Sequence, residues 1–90
     1  MKKKKVIKVS ASWCGPCKAL SPIFEDISKD EKFSEIEFDK KDADTDEDFC
    51  EKNNITSLPT ILFFDENEKE KYRMVGLYPK KDIIAKIEKL

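Results

Sequence analysis

The residues best equipped for chemistry are the cysteines at positions 14, 17 and 50. Two of them form a CxxC pair in Cys14-Gly15-Pro16-Cys17, and Cys50 stands alone. A thiolate is the species that attacks a disulfide. It is favoured at a helix N-terminus, where unpaired N–H groups and aligned peptide dipoles stabilise negative charge. Two intervening residues bring the second sulfur one helical turn on, close enough to close a disulfide with the first. Pro16 fixes the turn and donates no hydrogen bond, and so tunes how stable each redox state is. A zinc half-site is the competing reading, but a closed site takes four nitrogen or sulfur ligands. Only Cys50 remains to help, and the chain contains no histidine. A purely structural disulfide across so short a loop gains little entropy. Redox chemistry at Cys14 and Cys17 is the reading that remains. The absence of histidine also removes His-activated nucleophiles, His proton shuttles and His metal ligands.

The neighbouring segments must hold the pair at a strand-to-helix junction. Lys4 to Ala11 reads as a strand, with β-branched Val6, Ile7 and Val9 and no helical period. After the motif, Leu20, Ile23, Phe24 and Ile27 fall on one helical face, which predicts a helix to about Lys29. Pro22 inside it should remove a backbone bond and kink the axis. Ile36 and Phe38 alternate with acids and predict a second strand into Asp42. Asp44-Thr45 followed by Asp46, Glu47 and Asp48 predicts a capped helix start, ending near Asn53-Asn54. The same acidic run lacks the glycine and terminal glutamate of a calcium-binding EF-hand loop, so capping explains it better. Thr60 to Asp65 reads as a buried strand joined by a hairpin at 65–68 to a partner at Tyr72 to Val75. A last helix opens at Pro79 and should bury Ile83, Ile84, Ile87 and Leu90. The order is βαβαββα.

Ninety residues suit one domain, residues 1–90, with 39% hydrophobic and 41% charged side chains. Eighteen basic against nineteen acidic residues leave a net charge of −1. That balance gives no reason to expect nucleic acid or an anionic membrane as the main partner. The longest strictly apolar run, Ile61 to Phe64, is far short of a membrane span. The opening Met1-Lys2-Lys3-Lys4-Lys5 could begin a secretory signal, but Lys8 interrupts the apolar residues that follow. An odd, sparse cysteine count does not describe a disulfide-stapled secreted scaffold. A cytoplasmic location is the resulting expectation.

Trp13-Cys14-Gly15-Pro16-Cys17-Lys18 resembles the active-site motif of the thioredoxin family. Leu58-Pro59-Thr60 resembles that family's cis-proline loop, Pro22 its kinked active-site helix, and Val75-Gly76 the glycine bordering its substrate groove. The resemblance spans nearly the whole chain and includes both glycines and all four prolines. It implies an enzyme that reduces protein disulfides, with Cys14 as nucleophile and Cys17 as resolving thiol. Trp13, Gly15, Pro16, Ser57, Leu58, Pro59 and Gly76 would form a shallow groove, where the Leu58 backbone pairs with an extended substrate strand. It further implies no cofactor beyond the Cys14–Cys17 disulfide, a thioredoxin reductase-type electron donor, disulfide-containing client proteins and a monomer.

Two departures matter. Thioredoxins usually begin with an extra strand and helix, and only about a dozen residues precede Cys14 here. The expected fold is therefore a minimal α/β thioredoxin-like core, a four-stranded mixed sheet in the order 2-1-3-4 flanked by helices. Second, Lys8 occupies the place of the family's buried aspartate, which assists proton transfer at the second cysteine. Lys8 could snorkel into water, stay charged and stabilise a thiolate, or lose its charge on burial and serve as a base. Cys50 reads as a buried inert thiol, with a regulatory or dimer-forming cysteine as the alternative. A glutathione-linked, glutaredoxin-like protein is a rival. It is disfavoured because the motif lacks a tyrosine and no Gly-Gly pair precedes the last helix. A binding or scaffold module with incidental cysteines is the rival from another class.

Overall fold

A computed structural model describes residues 2–90, leaving Met1 of the lysine-rich opening outside the described chain. Strand β1 (Lys4–Ser10) leads into helix α1 (Gly15–Ser28), and strand β2 (Ile36–Asp42) leads into the short helix α2 (Glu47–Lys52). Strands β3 (Thr60–Phe64) and β4 (Glu70–Val75) form the hairpin, and helix α3 (Lys80–Glu88) closes the chain. The sheet runs β2-β1-β3-β4, with β1 and β2 parallel and the other pairings antiparallel. This is the expected minimal fold.

The alternation of β1 decides which helix meets which face. Val6, with Ile61 and Phe63 of β3, packs against Leu20, Phe24 and Ile27 of α1 and Ile83 and Ile87 of α3. Ile7, Val9 and Leu62 face the other way, against Phe49, Cys50, Ile55 and Leu58 around α2. The central strands are thus buried on both faces, which accounts for their nearly unbroken apolar sequence.

Several boundaries shift for local reasons. A single 3₁₀ turn, Glu31–Phe33, follows α1 and buries Phe33, a residue the sequence reading left unassigned. Helix α1 continues through Pro22 as one element. The acidic cap of α2 is corrected: the helix begins at Glu47 behind Asp46, and no side chain caps it. Asp46 instead accepts from the Asp42 backbone N–H at 2.9 Å, which tightens the turn leaving β2. Asn54 takes the positive φ of 52° that ends this segment. Pro79 lies just before α3, not inside its first turn. Ile83 and Ile87 are buried, while Ile84 and Leu90 are only partly so.

Candidate active site

Strand β1 ends at Ser10, and four residues later Cys14 stands at the N-cap of α1. The turn is closed by the Cys14 N–H donating to the Ala11 carbonyl at 3.2 Å. The Cys14 sulfur accepts from the Cys17 N–H at 3.3 Å, so a free helix-terminal donor points at it. Cys14 and Cys17 are joined as a disulfide, with Cα atoms 5.2 Å apart. Cys17 is 2% exposed and Cys14 7%, and both pack with Ala11 against Ala43 and Leu58.

The two cysteines line different openings. Cys14 lines a groove of about 400 Å³ with Trp13, Ser57 and Leu58. Cys50 forms another wall, and the remaining ones, Ala43, Ile55 and Thr56, carried no signal in the sequence beyond their apolar or small character. Cys17 lines a separate cavity of about 310 Å³ with Ser21, Lys18, Lys40 and Lys41.

The expected groove residues fall at this end of the molecule, with unequal roles. Trp13 is 68% exposed, and its indole N–H donates to Asp44 at 3.1 and 3.2 Å. Asp44 thus holds the tryptophan and does not cap α2. Gly15 and Pro16 form the exposed first turn of α1. The Leu58–Pro59 peptide is cis, and Pro59 is buried beneath the exposed Ser57. This loop is held from two sides, by the Thr60 hydroxyl donating to the Ser57 carbonyl at 2.7 Å and by the Gly76 N–H donating to the Pro59 carbonyl at 2.8 Å. Gly76 adopts φ 105°, a conformation that L-residues with a Cβ rarely take, so glycine is needed there for its backbone. Exposed Val75 and Leu77 flank it.

Arg73 was not singled out from the sequence. Its guanidinium donates to the Asn53 and Asn54 carbonyls at 2.8 and 3.2 Å, and to both oxygens of Glu70. It ties β4 to the end of α2, where the groove-lining 55–58 segment begins.

Lys8 corrects one expectation, because it does not snorkel into water. The residue is 3% exposed, on the α1 face of the sheet. Its ammonium donates to the Ser21 hydroxyl at 2.8 Å, and that hydroxyl donates to the Cys17 carbonyl at 3.0 Å. The ammonium also lies 5.6 Å from the centre of the Phe24 ring. Burial pushes Lys8 below lysine's ordinary pKa, and the charge of Lys40 pushes it further; Glu25 opposes them. Cys50 is half-buried, not fully buried, and burial together with Asp46 pushes its thiol up. Among the described residues, no cluster of His, Cys, Asp or Glu could hold a metal ion, and no helix is long and apolar enough to cross a membrane.

A disulfide-forming cysteine pair at the head of a helix, with Cys14 in the lining of a surface groove, is the arrangement of a thiol–disulfide oxidoreductase. The family model described as thioredoxin matches residues 1–89. The thioredoxin of Mycoplasma genitalium is 45% identical over 83 residues, covering 92% of this chain and 78% of that one. Thioredoxin-1 of Saccharomyces cerevisiae is 39% identical over 74 residues, covering 82% and 69%. Among solved structures, Fasciola hepatica thioredoxin superposes with a TM-score of 0.87 at 31% identity, covering 98% of this chain and 81% of that one. The Malassezia sympodialis thioredoxin Mala s 13 gives 0.86 at 34%, covering 97% and 75%. The chain belongs to the thioredoxin family, and its activity is dithiol–disulfide exchange through Cys14 and Cys17.

Proposed function

We propose that this protein works in the reducing direction, taking electrons from a thioredoxin reductase-type donor and delivering them to disulfides of client proteins. The observation that carries this reading is the placement of Cys14 in the lining of the groove with Trp13 and Leu58, while Cys17 lines a separate cavity. The Cys14 thiolate attacks one client sulfur, forming a mixed disulfide and releasing the other client sulfur as a thiolate. Cys17, as a thiolate, then attacks the Cys14 sulfur and expels the second client thiolate. The Cys14–Cys17 disulfide is left, and the client has gained two electrons. Trp13, Gly15, Pro16, Ser57, Leu58, Pro59 and Gly76 serve as the docking surface, with the 57–58 backbone offered to an extended client segment.

We further read the protein as a cytoplasmic monomer acting in electron transport and cell redox homeostasis, without nucleic acid or membrane partners. The sparse cysteines and near-neutral charge support that setting.

The test is reduction of insulin disulfides with electrons fed from NADPH through a thioredoxin reductase, beside a parallel assay fed by glutathione and glutathione reductase. Turnover in the first and little in the second is expected. Turnover only with glutathione would overturn the choice of donor. Activity that survives the double change Cys14→Ser, Cys17→Ser would overturn the mechanism.

A further inference from the structure

Lys8 is a buried cation without a carboxylate of its own. The acid nearest in effect, Glu25 of α1, is engaged by Lys40, whose ammonium lies 2.7 Å from it. Among the ion pairs of the described residues, none includes Lys8. An ammonium held out of water in this way is costly to the fold unless some anion answers it. Its register partners are Lys40 on β2, a like charge, and Ile61 on β3, which carries none. From α1 it meets Ser21 and Phe24. Lys18, Lys41, Asp42 and Asp46 line the cavity beyond Ser21. The group in this neighbourhood that gains negative charge during turnover is Cys17, whose own carbonyl is the far end of the Lys8–Ser21 hydrogen-bonded chain.

We propose that Lys8 is a positioning residue for the resolving step, its ammonium anchored through Ser21 at Cys17 as the counter-charge to the Cys17 thiolate. The proposal rests on Cys14 being the attacking sulfur and Cys17 the resolving one. The chemistry balances without another reactant. The Cys17 thiol gives its proton to solvent, the thiolate forms a bond to the Cys14 sulfur, and the bond from Cys14 to the client sulfur breaks, with the electron pair leaving on the client. A cation held through Ser21 on the Cys17 carbonyl favours the thiolate and costs little reorganisation, because the burial is already in place before the reaction. The depressed pKa of Lys8 fits a cation waiting for an anion, since a thiolate on Cys17 would draw it back up.

The experiment uses the whole reduced protein, loaded at Cys14 as the mixed disulfide with thionitrobenzoate. Release of thionitrobenzoate by Cys17 is followed across the neutral and mildly alkaline range, in the wild type, Lys8→Met and Ser21→Ala. In Lys8→Met, release is expected to slow about tenfold at neutral pH, with its profile displaced about one pH unit to the alkaline side. Ser21→Ala, which frees the ammonium from its anchor, should slow release about threefold in the same direction. The initial attack of Cys14 on the reagent should change less than the release does in either variant, because the Lys8–Ser21 chain ends on Cys17 and not on Cys14. Profiles that superimpose for the wild type and Lys8→Met would overturn the proposal. So would slower release with an unshifted profile, which is what a purely structural role gives. If the wild type itself released nothing, the assignment of Cys14 and Cys17 would fall instead, so the two failures are distinguishable.

Discussion

Replacing Lys8 by methionine should make the protein more stable at neutral pH. The residue is 3% exposed, and an unbranched apolar side chain of similar length can occupy the same space. The change removes the charge-assisted bond to Ser21, worth about 1.5–3 kcal/mol net. It also removes the burial of an ammonium with no ion-pair partner and with Lys40 repelling it, a cost of several kcal/mol. The Ser21 hydroxyl keeps its bond to the Cys17 carbonyl, so no orphaned polar group is created. The balance favours methionine by about 1–2 kcal/mol, or roughly 5–15 °C in the melting temperature of a domain this size.

The pH dependence carries the sharper signature. The folded-state pKa of Lys8 lies below that of the unfolded chain, so between the two values the unfolded state binds more protons and wild-type stability rises with pH. The wild-type deficit is complete below the depressed pKa and disappears as pH climbs to the unfolded lysine value of about 10.4. Urea unfolding of the oxidised wild type and Lys8→Met, in steps from neutral to alkaline pH, reads both quantities. A variant less stable than wild type at neutral pH, or a difference that does not change with pH, would refute the reasoning.

Other changes probe the groove. Gly76→Ala should cost about 1–2 kcal/mol, because φ of 105° strains a residue with a Cβ although nothing lies within 4 Å of that atom; an unchanged denaturation midpoint would contradict this. Arg73→Met should cost about 1–2 kcal/mol by releasing the Asn53 and Asn54 carbonyls. It should also raise the KM for a protein disulfide more than it lowers kcat, as steady-state kinetics would show. Cys50 should alkylate more slowly than a free thiol at neutral pH, since burial and Asp46 raise its pKa, and Asp46→Asn should speed the reaction. Mass spectrometry of the oxidised protein, in which Cys50 is the free cysteine, measures this directly.

Local patterns were legible where the chain's own periodicity decided them. Ile36–Asp42 is a strand with the boundaries its alternation announced, and Leu20, Phe24 and Ile27 bury along one side of α1. Errors arose where a distant side chain competed for a local signal. Asp44 looked like a helix cap but is engaged by an indole 31 residues away. Phe33 sits in a 3₁₀ turn too short to leave a periodic trace, and it is the core under α3 that buries it.

The CxxC pair itself was determined by sequence alone, because residues three apart at a helix start are brought together by helix geometry whatever surrounds them. The cis-proline loop and Gly76 were expected from the resemblance to the thioredoxin family and not from any local pattern. What only the tertiary structure decided is which opening each cysteine lines and what becomes of Lys8. Both depend on strand pairing that sets β1 against β2, and on α1 lying over the face that Val6 and Lys8 share. Alternation says that successive strand residues point opposite ways, but only packing says which helix covers which side.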